Sequence, residues 1–591
     1  MDVEASFIPG VRLFEILLYV CTAFTTDIPG AFQMIGFPRT NSLASHDWPR
    51  RRPFPLYAER GMVAAAHPLT AEAGMHILRQ GGNAIDAAVA AGLVAAVTMP
   101  EMCGLGGDLL AVVHVPGSDG AKGETISVQG SGMSPRGASL ELMRKHATFE
   151  GTLMPYQGPL SISTPGMVDA YEQLLNRYGS MSFAEVAEPA ISLARDGFIL
   201  QPLGARAIAS AVEVLSRDSA AAAVFLPEGK PLETGQRLRQ TDLATTIEAI
   251  ATGGAKVFYT GDVGKRITDY LASLGGALSM DDFADYATEI TAPLQTTYRD
   301  HTVFQTAIPS QGLILLEALN IVEHAQIDDP LTAEAIHLMV ESKKLAYADR
   351  IGHAADLAFH DTPIDTLLSE AWAKKRYDEI DAGRASTSVA AGKLQDGDTT
   401  YLSVSDGKGA MVSLIQSVSS AFGSGVVGGD TGIVLNNRVG RGFSLEDGHV
   451  NQYAPGKKTM HTLNCYLVAD PHGRPVLVGG TPGGDGQPQW NMQAIVAMLD
   501  AGMDAQAAIE MPRWTSWPGT DPSTIDNPFE LRIEDRINPD VVADLESRGH
   551  HVRIVGGWAG GGASQIIARD PETGVLIGGT DARVEGNVLG F

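Results

Sequence analysis

The chain has 591 residues, 44% of them hydrophobic and 6% aromatic, a composition that buries a core rather than remaining disordered. With 43 Lys and Arg against 69 Asp and Glu its formal net charge is −26, which excludes nucleic acid and anionic membrane as general partners. Three cysteines, Cys21, Cys103 and Cys465, are too few and too far apart for a disulfide framework or a zinc site.

Residues 1–60 read as an N-terminal extension, part of it disordered. Its most apolar stretch, VRLFEILLYVCTAF (11–24), contains Arg12 and Glu15, has no basic lead-in and is too short to span a membrane. A cytoplasmic location is therefore expected ahead of a periplasmic one. From Gly61 the pattern predicts a short strand and two helices. Thr70 is placed as the cap of the first helix, with Glu72 in its opening turn; Gly81-Gly82 ends it and Asn83 caps the second. LLAVVHVPG and GETISVQGSG predict paired strands. Residues 160–380 read as mainly helical, with apolar residues at three-to-four spacing in TPGMVDAYEQLLNRYG, SFAEVAEPAISLARDG, TDLATTIEAIATGG, GLILLEALNIVEHA and LTAEAIHLMVESKKLAYADR.

A small, polar linker (381–398) leads into DGDTTYLSVSD, where the pattern turns to strands. Asp406-Gly407-Lys408-Gly409 marks a hairpin. Strands are expected at GIVLNN, LNCYLVAD and PVLVGG, then helices at QWNMQAIVAMLDAG and DAQAAIEMP, then strands at HVRIVGG, SQIIAR and GVLIGGTD.

Several motifs lack the context their chemistry needs. Gly423-Ser424-Gly425-Val426-Val427-Gly428 matches GxGxxG, but a turn and a strand follow it where a dinucleotide site requires a helix. GLGGD (104–108) reads first as a tight turn. His353, Asp356, His360 and Asp361 have metal-ligand chemistry at a spacing that fits no particular site, which leaves a metal-dependent hydrolase as a distant reading. No metal or organic cofactor is expected.

Thr399 opens the strand at the helix-to-strand junction. A structural role suffices, since threonine suits strands and Asp-Gly marks a turn. The alternative is that the chain is cut before it. A free α-amine, with a reference pKa of about 7.7–8.0, can then take the hydroxyl proton and return it to a leaving group. GGTPGGDG (479–486) offers the backbone N–H groups of Gly483 and Gly484 as oxyanion donors, or is another tight turn.

RGMVAAAHPLTAEAGMHILRQGGNAIDAAVA, PEMCGLGGD, STPGMVDAYEQLLNRYG, GDTTYLSVSD, FGSGVVGGDTGIVLNNR and GGTPGGDGQPQ stand in one order along the chain. In these segments the sequence resembles the γ-glutamyltranspeptidase family of N-terminal-nucleophile (Ntn) hydrolases, from about Gly61 to Phe591. The resemblance implies an α+β fold, a four-layer αββα sandwich, built jointly by a large subunit (61–398, after the extension) and a small one (399–591). It implies self-cleavage between Asp398 and Thr399, with Thr399 as nucleophile, Ser417 in place of a threonine that contacts its amine, and Gly483 and Gly484 as oxyanion donors. A homodimer of processed heterodimers is a further expectation.

In the acyl pocket the sequence departs from the family pattern. Ser131 falls where an arginine grips the substrate α-carboxylate. Arg441 replaces an acidic residue that holds the α-amine, and Arg438 replaces a glutamine. His461-Thr462 replaces a serine pair, and Ser419 an asparagine. Two arginines oppose an ammonium group and suit a carboxylate; the other reading is that Arg438 and Arg441 point to solvent or make structural pairs. The expected substrate is thus a small-molecule amide or peptide-like compound with a carboxyacyl or γ-glutamyl-like acyl group, and hydrolysis is favoured over transfer. Two other readings are open: a catalytically silent, uncleaved binding or scaffold protein, and the same nucleophile cleaving a carbon–carbon bond beside a keto group. The placement is nearest the transpeptidase-like branch that includes relatives of cephalosporin acylases.

Overall fold

Two seven-stranded sheets face each other between layers of helices in the computed structural model, which describes residues 48–52, 54–117, 123–149, 151–387, 398–519 and 528–591. The first sheet runs, edge to edge, through Asn587–Gly590, Gly61–Ala65, Asp398–Asp406, Met411–Ser419, Asp108–Val115, Glu124–Gly130 and Glu289–Thr291. The second runs through Leu56–Ala58, Leu576–Thr580, Gln565–Arg569, Pro475–Gly480, Cys465–Ala469, His301–Gln305 and Leu294–Tyr298. All pairings within these two sheets are antiparallel.

The strands read as nearly continuous apolar runs because both faces are covered, and successive side chains still alternate between them. In Met411–Ser419, Val412, Leu414 and Val418 face the first helical layer, while Met411 and Ile415 point into the space between the sheets. In Cys465–Ala469, Tyr466 and Val468 face the second helical layer and Cys465 and Leu467 point inward. Helices Pro68–Arg79, Ala84–Thr98 and Met167–Tyr178 cover the first sheet, with Phe183–Asp196 packed on Ala84–Thr98; Gly312–Val322, Gly486–Leu499 and Ala505–Glu510 cover the second, with Ala333–His353 packed on Gly312–Val322. This is the αββα sandwich. Each sheet takes strands from both sides of residue 399, so the halves on either side share one fold. Among the described residues no helix is long and apolar enough to cross a membrane.

Local structure corrects several expectations. His67, not Thr70, caps the first helix, Pro68–Arg79: its Nδ1 accepts from the Leu69 N–H, and Thr70 lies inside the helix. Asn83 caps the second in a reciprocal box with Asp86. Residues 48–52 and 54–60 of the extension pack onto the body of the protein. The backbone N–H groups of Arg51 and Arg52 donate to Glu510, and Leu56–Ala58 is an edge strand; residues 1–47 lie outside the described residues, as do 388–397 of the linker. GIVLNN is not a strand, for Val434 and Leu435 make only isolated bridges. The Asn436 and Asn437 side chains there bond the backbone of Gly106, Ser163 and Tyr156 instead.

The strands Leu294–Tyr298 and His301–Gln305 escaped the helical reading of 160–380. Their two-residue turn is Arg299-Asp300, with φ of +48° and +62°, a mirror-image hairpin turn without the usual glycine. Tertiary contacts hold it: Arg299 Nε donates to Asp500 at 2.8 Å and Nη1 to the Glu323 carbonyl at 2.8 Å.

Candidate active site around Thr399

Thr399 sits one residue into the strand Asp398–Asp406, 1% exposed, at an irregularity in the ladder. Asp398 pairs with Ser419 and Thr400 with Gln416. A step of two residues on one strand thus faces a step of three on the other, and an extra residue bulges opposite Thr399. Such a bulge re-aims side chains and frees backbone from the ladder. Thr399 Oγ1 donates to Ser417 Oγ at 3.4 Å, and the Ser419 N–H donates to the same Ser417 oxygen at 2.7 Å. Ser417 therefore holds both the candidate nucleophile and the turn that ends its own strand. Ser419 has φ +91°, a conformation that costs a non-glycine residue about 1–3 kcal/mol and that collects at functional sites.

Gly483 and Gly484 follow the strand Pro475–Gly480. Gly480 packs against the Tyr401 ring, where an added Cβ would come within 2.5 Å, and Tyr401 is two residues from Thr399. Gly483 and Gly484 have φ of +126° and +51°, so their turn requires glycine. Gln311, which sequence reasoning missed, anchors this loop. Its Nε2 donates to the Gly484 carbonyl at 2.8 Å and also to the Thr462 carbonyl, and Arg350 Nη1 donates to its Oε1 at 3.1 Å. Arg350 in turn bridges to Asp485 at 2.8 Å, both side chains buried, and Tyr347 donates to the Asp485 carbonyl. A lone glutamine before a helix carries no sequence signal for this work.

The positions expected to line an acyl pocket cluster. Ser131 and His461 Nε2 are hydrogen-bonded, and both residues are buried. Burial, reinforced by Arg438 and Lys458, holds the His461 imidazole well below its usual pKa, so it is neutral. Arg438 Nε donates to Asp108 Oδ2 at 2.9 Å in a fully buried pair. Burial pushes the Asp108 carboxyl up, and the Arg438 guanidinium, which keeps its proton in proteins, pulls it back. Arg441 Nη1 donates to the Ser419 carbonyl at 2.9 Å and reaches Ser419 Oγ at 3.4 Å, beside the bulge.

Arg438 thus makes a structural pair with Asp108, the other reading open for it. Asp108 closes the GLGGD turn, in which the Gly107 N–H donates to the Gly104 carbonyl at 2.8 Å. Yet Arg438 Nη2 and His461 Nδ1 are buried with no hydrogen-bond partner among the described residues. Such orphaned polar atoms are costly unless a ligand or water satisfies them.

The other motifs resolve as structure. Gly423 and Gly425, at φ +55° and +74°, lead into a three-residue 3-10 turn, Gly429–Thr431, with no phosphate-binding helix. Asp356 accepts from the Lys458 and Ala358 N–H groups, and Thr362 Oγ1 donates to the carbonyl of His353, the last residue of the helix Ala333–His353, so these parts of the 353–361 segment serve local structure.

Comparison with known proteins agrees with this geometry. The sequence model of the family described as Gamma-glutamyltranspeptidase matches residues 70–591. A glutathione hydrolase-like YwrD proenzyme of Bacillus subtilis is 36% identical over 90% of this chain and 98% of its own length. An oxamate amidohydrolase proenzyme of Klebsiella pneumoniae is 33% identical, over 90% and 98%. Among solved structures, a cephalosporin acylase from Bacillus halodurans superposes with a TM-score of 0.84 at 34% identity, covering 93% of this chain and 98% of that one. With its αββα sandwich and a threonine at the head of a central strand, the chain belongs to the γ-glutamyltranspeptidase family of Ntn hydrolases.

Proposed function

We propose that the protein is a self-processed N-terminal-threonine amidohydrolase whose acyl donor is a carboxyacyl amide. The observation that carries the nucleophile is the ladder bulge at Thr399, which places its Oγ1 within 3.4 Å of Ser417 Oγ. In maturation, Thr399 Oγ attacks the Asp398 carbonyl and the peptide C–N bond breaks as the ester C–O bond forms. Water then hydrolyses that ester, leaving the Asp398 carboxylate and a free Thr399 amine. In turnover, the amine accepts the Oγ proton as Oγ attacks the substrate carbonyl. The Gly483 and Gly484 N–H groups hold the oxyanion, and the proton passes to the leaving amine. Water completes hydrolysis of the acyl-enzyme.

The acyl preference rests on the basic, amine-repelling pocket. Arg438 keeps a buried donor, Nη2, for a carboxylate, and Ser131, with His461 neutral beside it, can add a hydrogen bond. The relative named an oxamate amidohydrolase fits this reading, because oxamate is the monoamide of a dicarboxylic acid and has no α-amine.

Intact mass under denaturing conditions tests the maturation step. Two chains divided at Asp398/Thr399 in the wild type, against one in Thr399→Ala, are expected; a single wild-type chain overturns self-processing. With processed enzyme, oxamate or succinamate should be hydrolysed far faster than glutathione, and equal turnover overturns the acyl assignment.

A further inference from the structure

We propose that His337, Glu341 and His550 form a site for one divalent transition-metal ion of the zinc class, tying the C-terminal part of the chain to the long helix Ala333–His353. A nitrogen of each histidine and a carboxylate oxygen of Glu341 lie within 4.8 Å of one another, and all three residues are buried. The site lies apart from Thr399, and nothing in the proposed hydrolysis uses it.

The donor set is the mixed imidazole and carboxylate type that zinc accepts. His337 and Glu341 stand one helical turn apart and so share a face of the helix. His550 comes from the turn after the helix Pro539–Ser547. The orientation of His337 is fixed by a partner outside the set: its Nε2 lies 2.9 Å from the Asp381 carbonyl. A carbonyl only accepts, so Nε2 carries the proton and Nδ1 presents a lone pair. That lone pair points at His550 Nε2, 2.8 Å away. A zinc ion with bonds of about 2.0–2.1 Å to both nitrogens needs them only about half an ångström further apart. On binding, the His550 proton moves to its Nδ1, and both imidazoles coordinate as neutral ligands. A cavity of about 210 Å³ lined by Lys344, Ser386 and His550 leaves room for a water as fourth ligand.

Lys344 sets the strength of the site. Its Nζ donates to Glu341 Oε1 at 2.7 Å and to the Ser386 carbonyl at 2.8 Å. It orients the carboxylate, but its charge also opposes a dication nearby. The surrounding seam already joins the same two parts of the chain: Arg548 bridges to Glu334 at 2.6 Å, and the Ala385 N–H donates to the Arg548 carbonyl at 2.8 Å. A metal there would act as a clasp across the seam, in intact and cleaved chains alike.

Zinc titration of the full-length protein, stripped with chelator, tests the assignment. One equivalent per chain is expected. His337→Ala and His550→Ala should each weaken binding by at least about 10-fold, the lower end of what losing even an outer partner of a metal ligand costs. Lys344→Met should tighten it. Zinc bound equally by wild type and by the double histidine variant overturns the proposal. Should those variants fail to fold, cobalt(II) titration of the wild type decides alone: an intense tetrahedral visible spectrum supports the site, and the weak spectrum of a solvated octahedral ion overturns it.

Discussion

Gly483→Ala is the most informative single change at the candidate oxyanion loop. Gly483 has φ +126°, and a Cβ built there would lie 2.2 Å from Trp490 Cζ3 and 2.8 Å from Cη2. The ring cannot easily withdraw. Its Nε1 donates to Thr515 Oγ1 at 3.0 Å, and Gly486, Gly561 and Gly562 pack so closely on it that a Cβ at any of them would come within 3 Å of a ring atom. Holding alanine at this φ costs about 1–3 kcal/mol, and forcing a methyl against a fixed ring about 1–3 kcal/mol more. Against roughly 2–6 kcal/mol of strain stands the loss from moving an oxyanion donor, about 10²–10³ in rate or 2.7–4 kcal/mol. The two are comparable, so the loop should yield, and the damage should appear in catalysis more than in stability. The assay is steady-state hydrolysis by processed enzyme: kcat falls by about 100-fold or more with KM little changed. Adding Trp490→Leu removes the clash but not the φ strain, and should recover part of the rate. A Gly483→Ala enzyme that is fully processed and keeps kcat within about threefold of wild type would refute the oxyanion assignment.

Three further outcomes follow from buried groups. Arg438→Met leaves Asp108 as an unpaired buried carboxylate and should cost about 3–5 kcal/mol in denaturant unfolding, whereas Asp108→Asn with Arg438→Met should recover much of that; equal losses in single and double variants would contradict the pairing. Ser417→Ala deprives the buried Ser419 N–H and the Thr399 hydroxyl of their shared partner, so a loss of about 1–3 kcal/mol and slower processing are expected, while Ser417→Thr should mature normally. His67 caps its helix through an unprotonated Nδ1, and burial lowers its pKa from 6.5 to about 4. Between those values the unfolded chain binds a proton that the folded chain refuses. His67 therefore contributes stability above pH 6.5 that is lost as pH falls toward 4, about 2 kcal/mol of it between pH 7 and 5. His67→Asn keeps a capping oxygen and should flatten the acid side of the stability profile; an unchanged slope would remove His67 from the account.

Much of this protein was legible in its sequence because local rules and burial agree there. Three-to-four spacing marked the helices, apolar runs marked strands covered on both faces, and Asp406-Gly407-Lys408-Gly409 marked the hairpin that carries Thr399 and Ser417. The quoted segments also carried the family, and through it the four layers. Where local rules and tertiary contacts disagree, the sequence misled. Arg299-Asp300 makes a glycine-free mirror-image turn only because Asp500 and Glu323 hold the arginine. GIVLNN has strand composition, but its asparagines bond distant backbone instead. The same division runs through the site. Thr399, as the hydroxyl opening a strand after Asp-Gly, was visible as a candidate from its neighbours alone. That Arg438 neutralises Asp108, 330 residues away, and that Gln311 ties Thr462 to Gly484, were not. Side chains meet across the sandwich according to how two sheets stack, and that is a property of the packed fold, which no short window of sequence contains.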